Sequence, residues 1–375
     1  MTRTRRVRTF GLLALAGLSA LGALQAFALP RYSARYEQYC ELCHVNPTGG
    51  GMRSAYASQE LVPKEFAWSP ATPAMLADID PKIAKHVSIG TDFREIYYAA
   101  DPSAGQAVQQ GFFQMQGDVY LSFQLDSAFT LYYNRGLTNT YELFGIAHWH
   151  SGDGYIKAGR FVPSYGWRFD DHTMYVRSEQ GFFPPAFTDV GLELGFQPKR
   201  LDLQVAILNG NRGSTSDNDR QLAAALNVTY RLHAGPLAAA VGAEGFTHPS
   251  GQGTEGQDSG GAHGYLSVWN VTWVGEADLI QNDPTTGPVV TGFVTSHEFS
   301  YLAHQGLELM GTYDFFDPDR DLKSGARSRW GGGVTVMPRS FLVLQALYRR
   351  TTFDSGSALS GSDFNEGVFQ IHFIY

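Results

Sequence analysis

From about His86 to the last residue, short stretches of alternating apolar and polar residues are separated by turn formers. In one of them Met115, Gly117, Val119, Leu121, Phe123 and Leu125 are apolar or small, with Gln116, Asp118, Tyr120, Ser122 and Gln124 between them. A period of two sends the two sets to opposite faces of a strand. Leu201, Leu203, Val205 and Ile207 oppose Asp202, Gln204 and Ala206 in the same way. So do Val271, Trp273, Gly275, Ala277 and Leu279 against Thr272, Glu276 and Asp278.

The pattern predicts about sixteen strands between 87–98 and 366–375, an even number, as closed bacterial barrels have. Alternation alone also suits a soluble sandwich, and the connections decide between them. Every second connection is tight, as at 126–127, 151–153, 198–200 and 304–306. The others are long and polar, as at 211–219, 248–261, 317–327 and 354–365. Short periplasmic turns alternating with long outer loops characterise outer-membrane barrels. The final residues agree: Phe369, Ile371, Phe373 and Tyr375 alternate with Gln370, His372 and Ile374 and end the chain on an aromatic ring. The expected fold is all-β, an antiparallel outer-membrane β-barrel of about sixteen strands with a small N-terminal haem-bearing plug, for the reason given below.

The N-terminus reads as an export leader over 1–28. Arg3, Arg5, Arg6 and Arg8 make a basic start, an apolar run follows from Phe10 to Leu24, and Ala26-Phe27-Ala28 is an A-x-A cleavage site. The apolar run is short for a membrane span. Removing the leader's four arginines and no acid takes the formal charge from −8 to −12. So acidic a chain does not suit nucleic acid.

Both cysteines of the chain fall in Cys40-Glu41-Leu42-Cys43-His44. C-x-x-C-H is the attachment signature of haem c. Two thiols a helical turn apart reach the two vinyl groups, and the adjoining His44 becomes the proximal iron ligand. The alternatives are a disulfide or half a zinc site, but zinc wants four ligands and no second cysteine pair exists. Residues 29–85 form the haem-bearing segment and 86–375 the barrel. The segment is rich in Pro and Gly and has few large apolar side chains. Fewer than about sixty residues can hardly enclose a haem unaided, so walls must come from the barrel.

An export leader, then Ala28-Leu29-Pro30-Arg31-Tyr32-Ser33-Ala34-Arg35, then the C-x-x-C-H motif and a porin-like barrel resembles the fused monohaem cytochrome–porins, of which outer-membrane iron oxidases are the best known. The resemblance implies Cys40 and Cys43 as haem thioethers and His44 as proximal ligand. It also implies electron transfer between extracellular Fe(II) and a periplasmic cytochrome or other carrier. After the motif the chain departs from the family. Val45-Asn46-Pro47-Thr48-Gly49-Gly50-Gly51-Met52-Arg53 replaces an aromatic segment containing Gln, His and Pro, which leaves the identity of the extracellular redox substrate open.

The sixth iron ligand is not readable from the motif. His86 is the first choice because it directly follows the haem segment, with His148, His150, His304, His372, Met52 and Met75 behind it. Of these, His148, His150, His304 and His372 have the parity of lumen-facing residues. The long connection 163–188 carries Arg168, Asp170, Asp171, His172, Arg177 and Glu179, a set suited to a pore constriction or to weak metal binding. Asp314, Asp317, Asp319 and Asp321 carry balancing Arg320 and Lys323 among them. No hydrolase constellation stands out. The expected function is an outer-membrane electron conduit, with Fe(II) oxidation one candidate activity and the direction of flow open. The alternative is a solute porin whose haem is structural or sensory.

Overall fold

The structure is a computed structural model describing residues 30–375 apart from 37–38, 73–79, 102–108, 137–140, 150–152, 182–186, 212–216, 218–219, 251–254, 323–324 and 358–359. The expected leader, Met75 and His150 lie outside the described residues.

Sixteen antiparallel strands run in chain order from Val87–Ala100 to Phe364–Ile374, each hydrogen-bonded to the next. The last pairs with the first, Phe369 opposite Tyr97 and Gln370 opposite Ile96. Closure satisfies both edges of the sheet, which is what allows a β structure to stand in lipid. A three-residue strand, Lys82–Ala84, adds only a local pairing to the start of the first barrel strand. The connections alternate in length as the sequence predicts. The tight ones include 235–236, 269–270 and 305–306, and the long ones 162–188, 209–222 and 354–363.

Facing follows the period-two pattern. Asp202 and Gln204 are buried, while Val205 and Ile207 beyond them are exposed. Likewise Thr272, Glu276 and Asp278 are buried, and Val271 and Leu279 are exposed. This inversion, polar inside and apolar outside, is the arrangement a bilayer demands. Aromatic pairs on neighbouring strands add to the outer face, among them Tyr97 with Phe112 at 5.0 Å and Tyr313 with Trp330 at 4.1 Å between ring centroids.

One strand differs from its expected bounds by more than two residues. The stretch expected as 263–269 runs as Gly256–Val268, so half of the expected loop 248–261 is sheet, with His248 opposite Gln257. Gly256, Gly260 and Gly261 carry no alternation signal, yet the main-chain ladder needs none. At Gly261 an added Cβ would meet Asp278 Oδ1 at 2.2 Å, so the missing side chain leaves room for that carboxylate.

Residues 30–72 contact the inward-facing side of the barrel. The helix Pro30–Tyr36 sets Arg31 against Glu298 and Glu308, each at 3.1 Å, and Tyr32 Oη donates to Glu308 at 3.1 Å. Arg35 also pairs with Glu308. Phe66, near the end of a π-helical segment Ala57–Phe66, stacks on Tyr32 with centroids 4.2 Å apart. Residues 162–181 of the long connection turn inward as well, burying Phe169, Met174 and Val176.

Candidate functional site

Cys40–Cys43 is one helical turn, and the His44 amide closes it on the Cys40 carbonyl at 2.9 Å. The chain then reverses. Val45 N–H donates to Met52 O at 3.1 Å and Ser54 N–H to Cys43 O at 2.8 Å. The reversal is made by Gly49, Gly50 and Gly51, with φ of 83°, 74° and 67°. This left-handed run is open to glycine and costly for other residues. A Cβ on Gly49 would sit 3.3 Å from Cys40 Sγ, and one on Gly51 would meet Tyr132 Oη at 2.2 Å.

Barrel side chains hold this turn. Tyr132 Oη accepts from the Met52 amide at 3.2 Å, and Arg168 donates to Gly49 O at 2.9 Å and Thr48 Oγ1 at 3.1 Å. Arg53 donates to Ser340 O at 2.7 Å. Lys157, itself paired with Glu193 at 2.7 Å, reaches Asn46 Oδ1 at 3.4 Å.

Next to the turn is a partly open cavity of about 1100 Å³, counting the solvent space it opens onto. Cys43, His44, Gly50 and Gly51 line one part of it, and Met337, Val343 and Ile374 of the barrel another. The inward loop adds Phe169, Asp170 and His172. The His44 ring sets Nδ1 3.2 Å from the Gly51 carbonyl. As a donor to that oxygen, Nδ1–H fixes the tautomer and leaves Nε2 as the free lone pair, the usual state of a metal-binding imidazole. Burial and the neighbouring Arg53 charge pull His44 down to about 4, which keeps the ring neutral and able to bind a metal.

The residues present fit a covalently held haem. The two thiols and the imidazole fall on one turn, with Cys43 and His44 lining the cavity and Cys40 a separate, smaller pocket. Arg53 and Arg168 also line that cavity, and among the described residues neither has a carboxylate within ion-pair distance. Guanidinium groups without a counterion suit the carboxylates of an incoming ligand such as haem propionates. Burial lowers Arg53 to about 10.

The expected distal candidates separate. His86 is exposed in the turn before the first barrel strand, with Nδ1 2.9 Å from Gln124 O, and is not on the cavity. His304 is exposed against Trp68 at the end of its strand, because a register shift after Leu302 breaks the parity that would have turned it inward. His148 keeps inward parity but lies off the cavity, beside Tyr155. Met52 is packed against Tyr120 and Tyr132. His372 is on the cavity, with Nε2 2.8 Å from Asp92 Oδ1.

The connection 162–188 does not present its acids outward. Asp170 pairs with Arg94 at 2.9 Å and Asp171 with Arg349 at 2.8 Å, so neither carboxylate is left for an outer metal site. The inward fold is also held by barrel carboxylates that the sequence reading passed over. Tyr165 Oη donates to Asp278 at 2.8 Å, Gln180 donates to the same residue at 2.7 Å, and the Trp167 amide donates to Glu276. Glu244, Glu276 and Asp278 lie close together on the inner wall. Their only sequence signal was inward parity, on two strands with the strand Gly256–Val268 between them. Asp314, buried, pairs with Arg329 at 2.8 Å.

No protein-family model matches the chain, and no curated protein matches it by sequence. Solved structures do. An anion-selective porin from Comamonas acidovorans superposes with a TM-score of 0.59 at 10% identity, over 77% of this chain and 99% of that one. OprB of Pseudomonas putida gives 0.57 at 10% identity over 83% and 99%, and OmpT of Vibrio cholerae 0.54 at 12% over 77% and 97%. The fold is that of the outer-membrane porins. Its apolar outer face around a polar interior is the face a barrel of this fold turns to lipid.

Proposed function

We propose that the chain carries one haem c on Cys40, Cys43 and His44 and serves as an electron conduit of the outer membrane, exchanging electrons between an extracellular redox substrate and a periplasmic carrier. Bound there, the haem supplies one-electron chemistry at its iron. The observation that carries the reading is the placement of the motif. Its turn is pinned to the inner wall of a barrel, and His44 faces a cavity that Arg53 and Arg168 also line.

The chain's own residues have three tasks in this reading. His44, oriented through Gly51 O, offers Nε2 to the iron. Arg53 and Arg168 offset the charge of the haem's carboxylates. Arg31 and Arg35, locked to Glu298 and Glu308, hold the haem-bearing segment against the wall, so that it stays with the barrel through each turnover. Fe(II) remains one candidate donor.

The test has two stages. Haem peroxidase staining after denaturing electrophoresis should mark a band at the mature mass in a host with working c-haem maturation. The double substitution Cys40→Ala with Cys43→Ala should abolish it. Purified protein in liposomes enclosing an electron acceptor should then reduce that acceptor when Fe(II) or another donor is added outside. An unstained band sinks the haem. A stained band with no transfer to the interior from any donor sinks the conduit.

A second reading is a solute channel. It is favoured by the likeness to porins, one of which is described as anion-selective. The contacts of residues 30–72 and 162–188 with the inner wall weigh against it.

A further inference from the structure

We propose that His172, at the inward bend of the 162–188 loop, provides the second axial ligand to the haem iron; the inference rests on the haem reading above. Three histidines line the cavity, namely His44, His172 and His372. His44 is spoken for by the motif, so the choice falls between the other two.

His172 has the attributes of a free ligand. Among the described residues its ring makes no hydrogen bond. Burial, reinforced by the Arg94 charge, lowers it to about 4 and so keeps it neutral. It is also held in place from both sides. Its neighbours Asp170 and Asp171 are each tied to a barrel arginine, Asp170 to Arg94 at 2.9 Å and Asp171 to Arg349 at 2.8 Å. Asp171 Oδ1 also caps the Thr173 amide at 2.8 Å, and Arg329 donates to Thr173 O at 2.7 Å. A loop clamped on either side of one unbonded imidazole presents that imidazole without costing further order on binding.

His372 is less suited. Its Nε2 is engaged with Asp92, which leaves only Nδ1. Nδ1 lies beside Cβ and the residue's own main chain, and here that chain is a central part of the sheet. His372 is paired with Val343 on one side and Arg94 on the other, and cannot shift to admit a macrocycle. Its contact to Asp92 is that of a wall residue. His86, the sequence-based choice, would have to leave Gln124 and cross from an exposed turn.

The experiment uses the full chain, matured with haem and purified in detergent, in four forms: unaltered, His172→Ala, His172→Met and His372→Ala. Peroxidase staining first establishes that haem is attached, and heat-modifiable mobility that the barrel is folded. The expected results are a low-spin spectrum for the unaltered protein and for His372→Ala. His172→Ala should be high-spin, with a ferrous form that binds carbon monoxide. His172→Met should be low-spin and gain the far-red Met–iron charge-transfer band, which no purely structural role of residue 172 would produce. The Met form also decides the matter should His172→Ala fail to fold. A low-spin His172→Ala, a high-spin unaltered protein, or a His172→Met form lacking the band overturns the assignment while the stained haem, and the conduit reading with it, stands. An unstained unaltered protein removes both.

Discussion

Arg168 Nη1 donates to the carbonyl of Gly49 at 2.9 Å, joining the inward loop of the barrel to the turn beside Cys40. Its second nitrogen spans from Thr48 Oγ1 at 3.1 Å to Val162 O at 2.7 Å. One guanidinium therefore ties together the haem-motif turn and the root of the loop that carries His172. The two pieces cannot move independently while it is in place.

Arg168→Ala removes three hydrogen bonds and leaves their acceptors short of donors inside the barrel. Hydrogen bonds from a charged group, with unsatisfied partners left behind, are worth about 1–3 kcal/mol. The variant should still insert, but its heat-modifiable mobility shift should come at a lower temperature. Arg168→Lys should restore little, because one ammonium cannot span the same three oxygens. An unchanged midpoint in the alanine variant would show that the loop and the turn are held by their other contacts.

Gly51→Ala tests the glycine run directly. A left-handed backbone at a residue with a Cβ costs about 1–2 kcal/mol, before the contact with Tyr132 Oη 2.2 Å from the new atom. Tyr132→Phe relieves the contact, leaves the backbone term and gives up the bond to the Met52 amide. The double variant should therefore recover part of the loss in thermal midpoint and in haem occupancy, and the single variant should be the worse of the two. A Gly51→Ala protein as stable and as fully loaded as the parent would mean that the turn is not required in this form.

The barrel was legible because its signals are local. A period of two and the length of each connection can be read within a single hairpin, and neither depends on distant partners. Where the local signal fails, so does the reading. Gly256 to Gly261 carry no alternation and were expected as loop, though the main-chain ladder pairs them. His304 sits just past a register shift that parity counting cannot see. Of the candidate site, Cys40, Cys43 and His44 could be named as a group because that motif is contiguous, while His372, Arg168, Asp170 and His172 could be named only singly, with no sign that they share one cavity. His172 was named from the sequence as part of the loop's polar set, but its place on the cavity depends on Arg94 and Arg349, brought to Asp170 and Asp171 from opposite parts of the chain. The roles of Arg31 and Arg35 likewise waited on Glu298 and Glu308, whose only sequence mark was inward parity.

Glu308 is the single acid that Arg31, Tyr32 and Arg35 share. Its removal leaves Arg35 without an acid and Arg31 with Glu298 alone, both in a buried setting. Breaking a buried pair by deleting one partner typically costs about 3–5 kcal/mol. Glu308→Ala should therefore loosen the 30–36 helix more than Glu298→Ala, which strips Arg31 of only one of its two acids. Limited proteolysis of intact cells or proteoliposomes reads the difference, with earlier cleavage near the N-terminus of the Glu308 variant and the barrel fragment intact. Equal protection in the two variants would assign the anchoring to the Tyr32–Phe66 stack instead.

Ion conductance separates a conduit from a channel. A barrel of about sixteen strands encloses a lumen wide enough to pass solutes when nothing occupies it. Here the inner wall is contacted by residues 30–72 from one part of the chain and by 162–188 from another. In planar bilayers the intact protein should show conductance well below that of an open porin of the same strand number, independent of haem loading. Deleting 30–72 should raise it severalfold, because Glu298, Glu308 and Tyr132 would then face water. The acids of the inner wall, among them Glu298 and Glu308, should make the opened pore prefer cations, the reverse of the Comamonas acidovorans relative described as anion-selective. An intact protein that conducts like an open porin would return the solute-channel reading to first place and reduce the haem to a passenger of the lumen.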